Sequence, residues 1–241
     1  METEKLRHFE NLLSRCGIII RPELKIVLEN SLQLLKIKQK ANKALLLGKI
    51  ECLYSDFYLA MTEGYPENIE QKYFFYSSKG SEWILLQPPT DKKRCSAALK
   101  IQSRLTGDPN SVFEVDLFND GSNEEVNADD EEAVDLSGAK TSIQINEEER
   151  ISAFVQALVS NTWLKKERND YLNSEITKFS GEIFEKAEWS VLKNQISNLD
   201  VESSICRSLA WPGACFFEDG MQQGNIYWGR GEINLDIPFM I

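Results

Sequence analysis

Apolar residues near the start of the chain recur at the spacing of amphipathic helices. Within residues 4–15 they stand every three to four positions, as Leu6, Phe9, Leu12 and Leu13. Gly17 follows, where helices commonly end. The same period returns over residues 22–40, which open on a proline, a residue well suited to the first turn. The pattern predicts a short helix over 4–15 and a longer one over 22–40.

The period then shortens to that of strands. Residues 44–60 mix brief alternation with aromatic residues and one glycine, which predicts two strands or one bent strand. Residues 72–76 and 82–86 are both strand-like, and the five residues between them suit a hairpin turn. After two prolines, residues 90–102 have the composition of a helix, with Thr90 or Asp91 as its N-cap.

A long acidic segment follows over residues 114–140. It contains ten acidic residues, and no Lys or Arg stands between Arg104 and Lys140. Such a stretch repels itself and lacks apolar anchors, so we predict a mobile surface loop inserted mid-chain.

Regular patterns resume after this loop. Ile143 and Ile145 indicate a short strand, and a helix follows with Asn146 as cap and acidic residues in its first turn. Residues 204–217 and 225–234 are rich in β-favouring residues and predict a closing pair of strands, while residues 165–186 are ambiguous. The predicted fold is one α+β domain over residues 1–241, in which N-terminal helices pack with a mostly antiparallel sheet.

The net charge of the chain limits the classes of molecule that it is expected to bind. The 241 residues include 27 Lys plus Arg and 38 Asp plus Glu, which gives a formal charge of −11. A surface so acidic disfavours nucleic acid and anionic membranes, which need clustered cations. Apolar runs fall far short of the roughly 20 residues that span a bilayer, and the acidic start does not resemble a secretory signal. We expect a cytosolic protein whose partners are basic surfaces of other proteins.

Familiar catalytic and ligand-binding patterns are missing. His8 is the single histidine, and five scattered cysteines without a Cys-x-x-Cys pair predict reduced, buried thiols. The glycines around Lys49 and Arg230 do not complete a phosphate-binding loop, and Glu125 stands where a calcium-binding loop needs glycine. We predict no catalytic residue, no cofactor and no metal. A pair among the 38 carboxylates remains the enzymatic alternative.

Four apolar residues among the last five suggest a covered C-terminus. Burying a side chain such as Phe239 or Ile241 contributes roughly 1.5–3 kcal/mol, so either the protein's own core or a partner groove should cover them. Trp211, followed by proline and glycine, indicates a bend in or beside a strand.

Two C-terminal blocks resemble the radial spoke head protein 9 family. The first, similar to the family's Arg-Ser-Leu-x-Trp-Pro-Gly, is Arg207-Ser208-Leu209-Ala210-Trp211-Pro212-Gly213. The second runs over residues 227–241 and ends like the family's Leu/Met-Asp-Leu-Pro-Phe-Met. The N-terminal half agrees in the same order, through residues 47–50, 54–60 and 82–90 and through Gly107-Asp108-Pro109, while residues 143–150 and 189–190 match more loosely. The chain departs from the family between Ser160 and Glu188, where it is shorter.

The resemblance implies a non-enzymatic structural subunit of the radial spoke head in motile cilia and flagella. That head relays mechanical signals between the central pair and the dynein arms. The implied location is the cytoskeleton of the axoneme, and the implied partners are other spoke-head proteins, especially the radial spoke head protein 4/6 family, with the central-pair projections contacted through the assembled head. A generic acidic cytosolic adaptor is the second reading, and a carboxylate-based enzyme with converging acids in a deep pocket is the third.

Large obligate interfaces favour aromatic residues over charges. The candidate interface therefore combines the aromatic strands with the C-terminal tail, as Trp211, Phe216, Tyr227, Trp228, Pro238, Phe239, Met240 and Ile241. In this hypothesis the tail holds the subunit in place. The acidic loop meets the central-pair projections electrostatically, over about the 8 Å Debye length of physiological salt.

Overall fold

The computed structural model describes residues 1, 10–66, 68, 71–88, 91–101, 103–117, 141–162, 189–196, 201–219 and 222–234. The helices are α1 (Glu10–Arg15), α2 (Pro22–Gln39), α3 (Lys92–Lys100) and α4 (Glu147–Thr162). The strands are β1 (Lys43–Ile50), β2 (Phe57–Glu63), β3 (Lys72–Ser77), β4 (Ile84–Leu85), β5 (Val112–Leu117), β6 (Thr141–Asn146), β7 (Trp189–Ile196), β8 (Val201–Ser208), β9 (Ala214–Asp219) and β10 (Gln222–Gly229).

Eight strands form one sheet in the order β4-β3-β2-β1-β10-β9-β8-β7. Every neighbouring pair is antiparallel except β1 and β10, which run parallel and join the two halves of the chain. Strands β5 and β6 form a separate antiparallel pair. Helices beside a mostly antiparallel sheet confirm the predicted α+β class.

Helices cover both faces of the large sheet. On the face that we call the α2 face, Leu28, Leu32 and Leu35 of α2 pack in one cluster with strand residues from both halves, including Leu46, Phe75, Phe217 and Ile226. On the opposite α4 face, Ile151, Phe154 and Leu158 of α4 pack with Leu47, Leu59 and Tyr227. The strands alternate their side chains between these two cores, so the sheet is buried on both sides.

A bulge at Gly48 lets β1 approach β10. The pairing of β1 with β2 shifts between Leu46 and Gly48, and Leu46 and Leu47 point into opposite cores. Gly48 has a φ of +146°, and a Cβ on it would lie 1.8 Å from the carbonyl oxygen of Tyr227. Glycine is therefore required here, because any side chain would collide with the backbone of β10.

Several sequence predictions are confirmed. The helix over 22–40 is α2, which ends at Lys40 in the left-handed conformation. The hairpin over 72–86 is β3 with β4, although the second strand is only two residues long. Asp91 caps α3, its carboxylate accepting from the Lys93 amide at 3.0 Å, while Thr90 lies outside the described residues. Of the first predicted helix, Glu10–Arg15 is described and residues 4–9 are not.

The chain also departs from those predictions. Residues 204–217, read as a single strand, divide between β8 and β9, because Pro212 and Gly213 turn the backbone between them. The sequence pattern did not predict strand β7. Glu114 to Leu117, assigned to the acidic loop, lie in β5, where they pair with β6. Residues 118–140, 163–188 and 235–241 lie outside the described part, and so do the predictions that rest on them.

We expect Gly48→Ala to destabilise the fold by more than about 4 kcal/mol, because the new methyl group collides with the β10 backbone. Gly17→Ala is the matched control, since Gly17 also has a positive φ of +78° but nothing lies within 4 Å of its Cβ position. Its cost should be about 1 kcal/mol, from the backbone conformation alone. Chemical denaturation followed by circular dichroism checks both values, and equal losses would contradict the collision.

Candidate interaction surface

Two of the predicted interface residues lie in the protein's own interior. Tyr227 is fully buried, and Trp211 is 7% exposed. Both rings pack edge-on against Phe154 of α4, with ring centroids 5.4 Å apart for Trp211 and 5.1 Å for Tyr227. Such aromatic pairs add about 0.5–1.5 kcal/mol each beyond area burial. These two side chains therefore hold α4 on the sheet.

Hydrogen bonds fix the backbone around this aromatic pair. The Trp228 amide donates to the Gly213 carbonyl at 2.8 Å, and the Gly231 amide donates to the Tyr227 hydroxyl at 2.8 Å. Burial raises the pKa of Tyr227, which keeps its hydroxyl protonated. Gly213 has a φ of +102°, and a Cβ on it would lie 2.4 Å from the Trp228 carbonyl oxygen. The Trp-Pro-Gly block is thus a structural corner.

Trp228 and Phe216 keep part of their surface exposed. Trp228 packs at the α2 face, where the Lys49 ammonium lies 5.0 Å from its ring centroid. The Lys49 ammonium also contacts Asp56 at 3.0 Å and Glu51 at 3.3 Å. Burial lowers the pKa of Lys49, but these two carboxylates outweigh it and the pKa is raised. This lysine remains charged and ties β1 to the loop that follows it.

The predicted aromatic residues do not form a single patch. Trp211 and Tyr227 meet on the α4 face, and Trp228 packs on the α2 face. Phe216 shares the side of β9 that Ala214 presents to the α4 core, since strand residues alternate. The remaining four candidates, Pro238, Phe239, Met240 and Ile241, lie outside the described residues. Their contact with a partner stays a prediction.

The structure exposes a different apolar surface on α2. Ile26, Leu34 and Ile37 are 55%, 67% and 73% exposed, and we call them the α2 stripe. They lie on the side of the helix away from Leu28 and Leu32, which are buried. Val27 borders the stripe, and Ile19 lies exposed just before the helix. Leu34 and Ile37 are one turn apart, Asn30 stands between Leu34 and Ile26, and a group of exposed aliphatic side chains on one side of a helix is a candidate interaction site.

Lysines surround the C-terminal end of the α2 stripe. Lys36, Lys38 and Lys40 are all exposed, within three residues of Ile37. This concentration of positive charge is notable in a chain whose net charge is −11. An apolar stripe with a basic border fits an apolar surface with an acidic border. The sequence analysis used only the apolar residues of α2 that recur at helical spacing on one side. A helix with apolar residues on two sides can contact a partner with the second side.

The most deeply buried carboxylate among the described residues has a structural role. Glu147, in the first turn of α4, is fully buried and accepts from the Thr106 amide at 2.8 Å, the Thr106 hydroxyl at 2.7 Å and the Gly107 amide at 2.6 Å. Arg150, one turn on, donates to the Ser103 carbonyl at 2.7 Å and lies 4.4 Å from the Phe113 ring centroid. Burial lowers the pKa of Arg150, while Glu147 opposes that change. Together they clamp the backbone at Ser103, Thr106 and Gly107 to α4.

Within the described ranges, no three His, Cys, Asp or Glu side chains come together as a metal site would need. The helices described there include none with the length and apolar character to cross a membrane.

Five curated proteins align with the chain from end to end, and all are named radial spoke head protein 9 homolog. The Danio rerio protein is 25% identical over 279 residues, the Bos taurus protein 28% over 284, and the Mus musculus protein 27% over 290. Each alignment covers 100% of both chains. No family model matches. The alignments exceed the 241 residues of this chain, so the relatives carry insertions relative to it.

We expect Glu147→Gln to lower the free energy of unfolding by about 3 kcal/mol. Both carboxylate oxygens accept from backbone amides of Thr106 and Gly107, and the NH2 group of glutamine would replace one acceptor with a donor. Glu148→Gln is the control in the same helical turn. It removes an equal charge near the helix N-terminus and should cost less than about 1 kcal/mol. Urea denaturation measures both variants, and equal losses would show that the charge, and not the clamp, matters.

Proposed function

We propose that the chain is a member of the radial spoke head protein 9 family and a structural, non-enzymatic subunit of the radial spoke head in motile cilia and flagella. The single observation that carries the proposal is similarity along the whole length of five relatives that share one name. The subunit would reside in the axoneme. Within the head it would help pass mechanical signals between the central pair and the dynein arms, and so control beating.

The fold supports a packing role. A single sheet joins both halves of the chain and is covered on both faces, so the molecule can transmit force as one body. The carboxylate of Glu147, the most buried in the described part, is occupied by three hydrogen bonds to Thr106 and Gly107. These hydrogen bonds give this carboxylate a structural role in holding the loop to α4.

We assign the docking of a radial spoke head protein 4/6 subunit to the α2 stripe. The aliphatic side chains of Ile26, Leu34 and Ile37 would supply the buried centre of that contact. The neighbouring Lys36, Lys38 and Lys40 would form a basic rim that selects an acidic border on the partner. The central-pair projections would be reached through the assembled head, to which the acidic segment over 118–140 would contribute negative charge.

Affinity purification of the tagged protein from isolated axonemes, followed by a high-salt wash and mass spectrometry, tests the assignment. We expect other spoke-head subunits at near-equal amounts with the wild-type chain. The triple variant Ile26→Ser, Leu34→Ser and Ile37→Ser should retain less than about a tenth of the 4/6 subunit, because three aliphatic contacts are lost. Leu53→Ser with Tyr54→Ser is the control, since those residues are 54% and 87% exposed on a different loop.

Two outcomes would contradict these assignments. Equal retention by the triple variant and the control would remove the α2 stripe from the interface while leaving the spoke-head role intact. Absence of every spoke-head subunit from the wild-type sample, with the protein found in the cell body, would overturn the role itself and favour the acidic adaptor.

Deletion of residues 238–241 tests the tail separately. If the tail anchors the subunit, the shortened chain should fold normally but be lost from the heads, because burial of apolar side chains such as Phe239 is lost. Thermal denaturation of the purified chain distinguishes this from docking on its own core, which would lower the melting temperature. Intact heads with an unchanged melting temperature would contradict both roles.

A further inference from the structure

Two cysteines and an arginine meet where α1 joins the sheet. Cys16 follows directly after α1 and packs against the core cluster that contains Cys215 of β9. Arg207 of β8 is the cross-strand partner of Cys215, so the two side chains share the α2 face. The pair of thiols and the guanidinium are thus brought together by chain segments distant in sequence.

Arg207 connects this cluster to the end of α1. Its Nη2 donates to the carbonyl oxygen of Arg15, the residue before Cys16, at 2.6 Å. Its Nε is buried and has no hydrogen-bond partner in the described part of the chain. A buried N–H without an acceptor is costly, and an anion beside it would remove that cost.

The two thiols differ in pKa and in exposure. Cys215 donates its S–H to the sulfur of Cys16, and this hydrogen bond, helped by the charge of Arg207, lowers the pKa of Cys16 to about 7 even though burial opposes the change. The same contact, with burial, raises the pKa of Cys215. At pH 7 a larger fraction of Cys16 is therefore thiolate than of an ordinary cysteine. Cys16 is also partly exposed, whereas Cys215 is buried.

We propose that Cys16 and Cys215 form a peroxide-sensitive site, in which Cys16 is the reacting thiol and Cys215 the resolving one. The Cys16 thiolate attacks one oxygen of hydrogen peroxide, the O–O bond breaks, and the departing hydroxide takes a proton to become water. Cys215 then attacks the sulfenic sulfur of Cys16, the S–O bond breaks, and a second water leaves. Two thiols and one hydrogen peroxide become one disulfide and two waters.

The disulfide would join the end of α1 to β9. These residues stand at opposite ends of the chain, so the bond would close almost the whole sequence into one loop and raise the melting temperature. The inference is independent of the proposed function, since it uses only the cluster of Cys16, Arg207 and Cys215.

The test exposes the reduced, full-length protein to hydrogen peroxide at pH 7, blocks remaining thiols by alkylation and maps peptides by mass spectrometry without reduction. We expect a Cys16–Cys215 linked peptide that dithiothreitol releases. Cys16 should be consumed about tenfold faster than Cys95, the partly exposed thiol on α3. Cys52, whose pKa is raised to about 12 by burial first and by Glu147 second, should stay reduced.

Variants separate the two roles. Cys215→Ala should stop the reaction at a Cys16 sulfenic acid that a cyclic 1,3-dione captures. Arg207→Gln should slow the consumption of Cys16 several-fold. Arg104→Gln is the control: Arg104 donates to the Glu51 carbonyl, away from this cluster, and its loss should leave the rate of Cys16 consumption unchanged. Melting curves establish that each variant is folded.

Three results would overturn the proposal. They are equal rates for Cys16 and Cys95 in the wild-type protein, a disulfide that joins Cys16 to Cys206 instead of Cys215, and an unchanged rate in folded Arg207→Gln. The first two need no variant, so the site can be rejected even if a substitution prevents folding.

Discussion

The parallel pairing of β1 with β10 holds the two halves of this protein together. On either side of it the strands are joined by antiparallel pairing within each half, and this one pair makes a continuous eight-stranded sheet. It depends on Gly48, because the carbonyl of Tyr227 occupies the space that a side chain would need. Both covering layers depend on it in turn, since α2 and α4 each pack in a cluster with strand residues from both halves.

The blocks that carry the family resemblance build corners of this sheet. Trp211 and Tyr227 pack on Phe154, while Gly213 lies against the backbone of β10. Such positions accept few substitutions, because each combines close packing with a restricted backbone. The resemblance therefore identifies the architecture most strongly. Among the described residues, α2 is the helix that leaves three large aliphatic side chains, those of the α2 stripe, more than half exposed.

Buried and half-buried charged side chains in this protein connect separate segments of the chain. Glu147 and Arg150 secure a loop to α4, Lys49 joins β1 to its following loop, and Arg207 links β8 to the end of α1. Each of these side chains bonds to a group on another segment of the chain and so holds two segments together. The positive charge of Arg207 also helps to lower the pKa of Cys16, one of the two neighbouring thiols.

Sequence alone determined the features that arise within a few residues. The amphipathic period of α2, the β3–β4 hairpin, the Asp91 cap and the bend at Trp211 were all predicted, because local spacing, caps and turn residues act over short distances. Full-length resemblance likewise indicated the family. Tertiary structure decided what depends on distant pairing: the register of β1 on β10, the burial of Tyr227, and the hydrogen bonds of Glu147. It also decided that Ile26, Leu34 and Ile37 stay exposed, because a helix with apolar residues on two sides does not itself show which side meets the sheet.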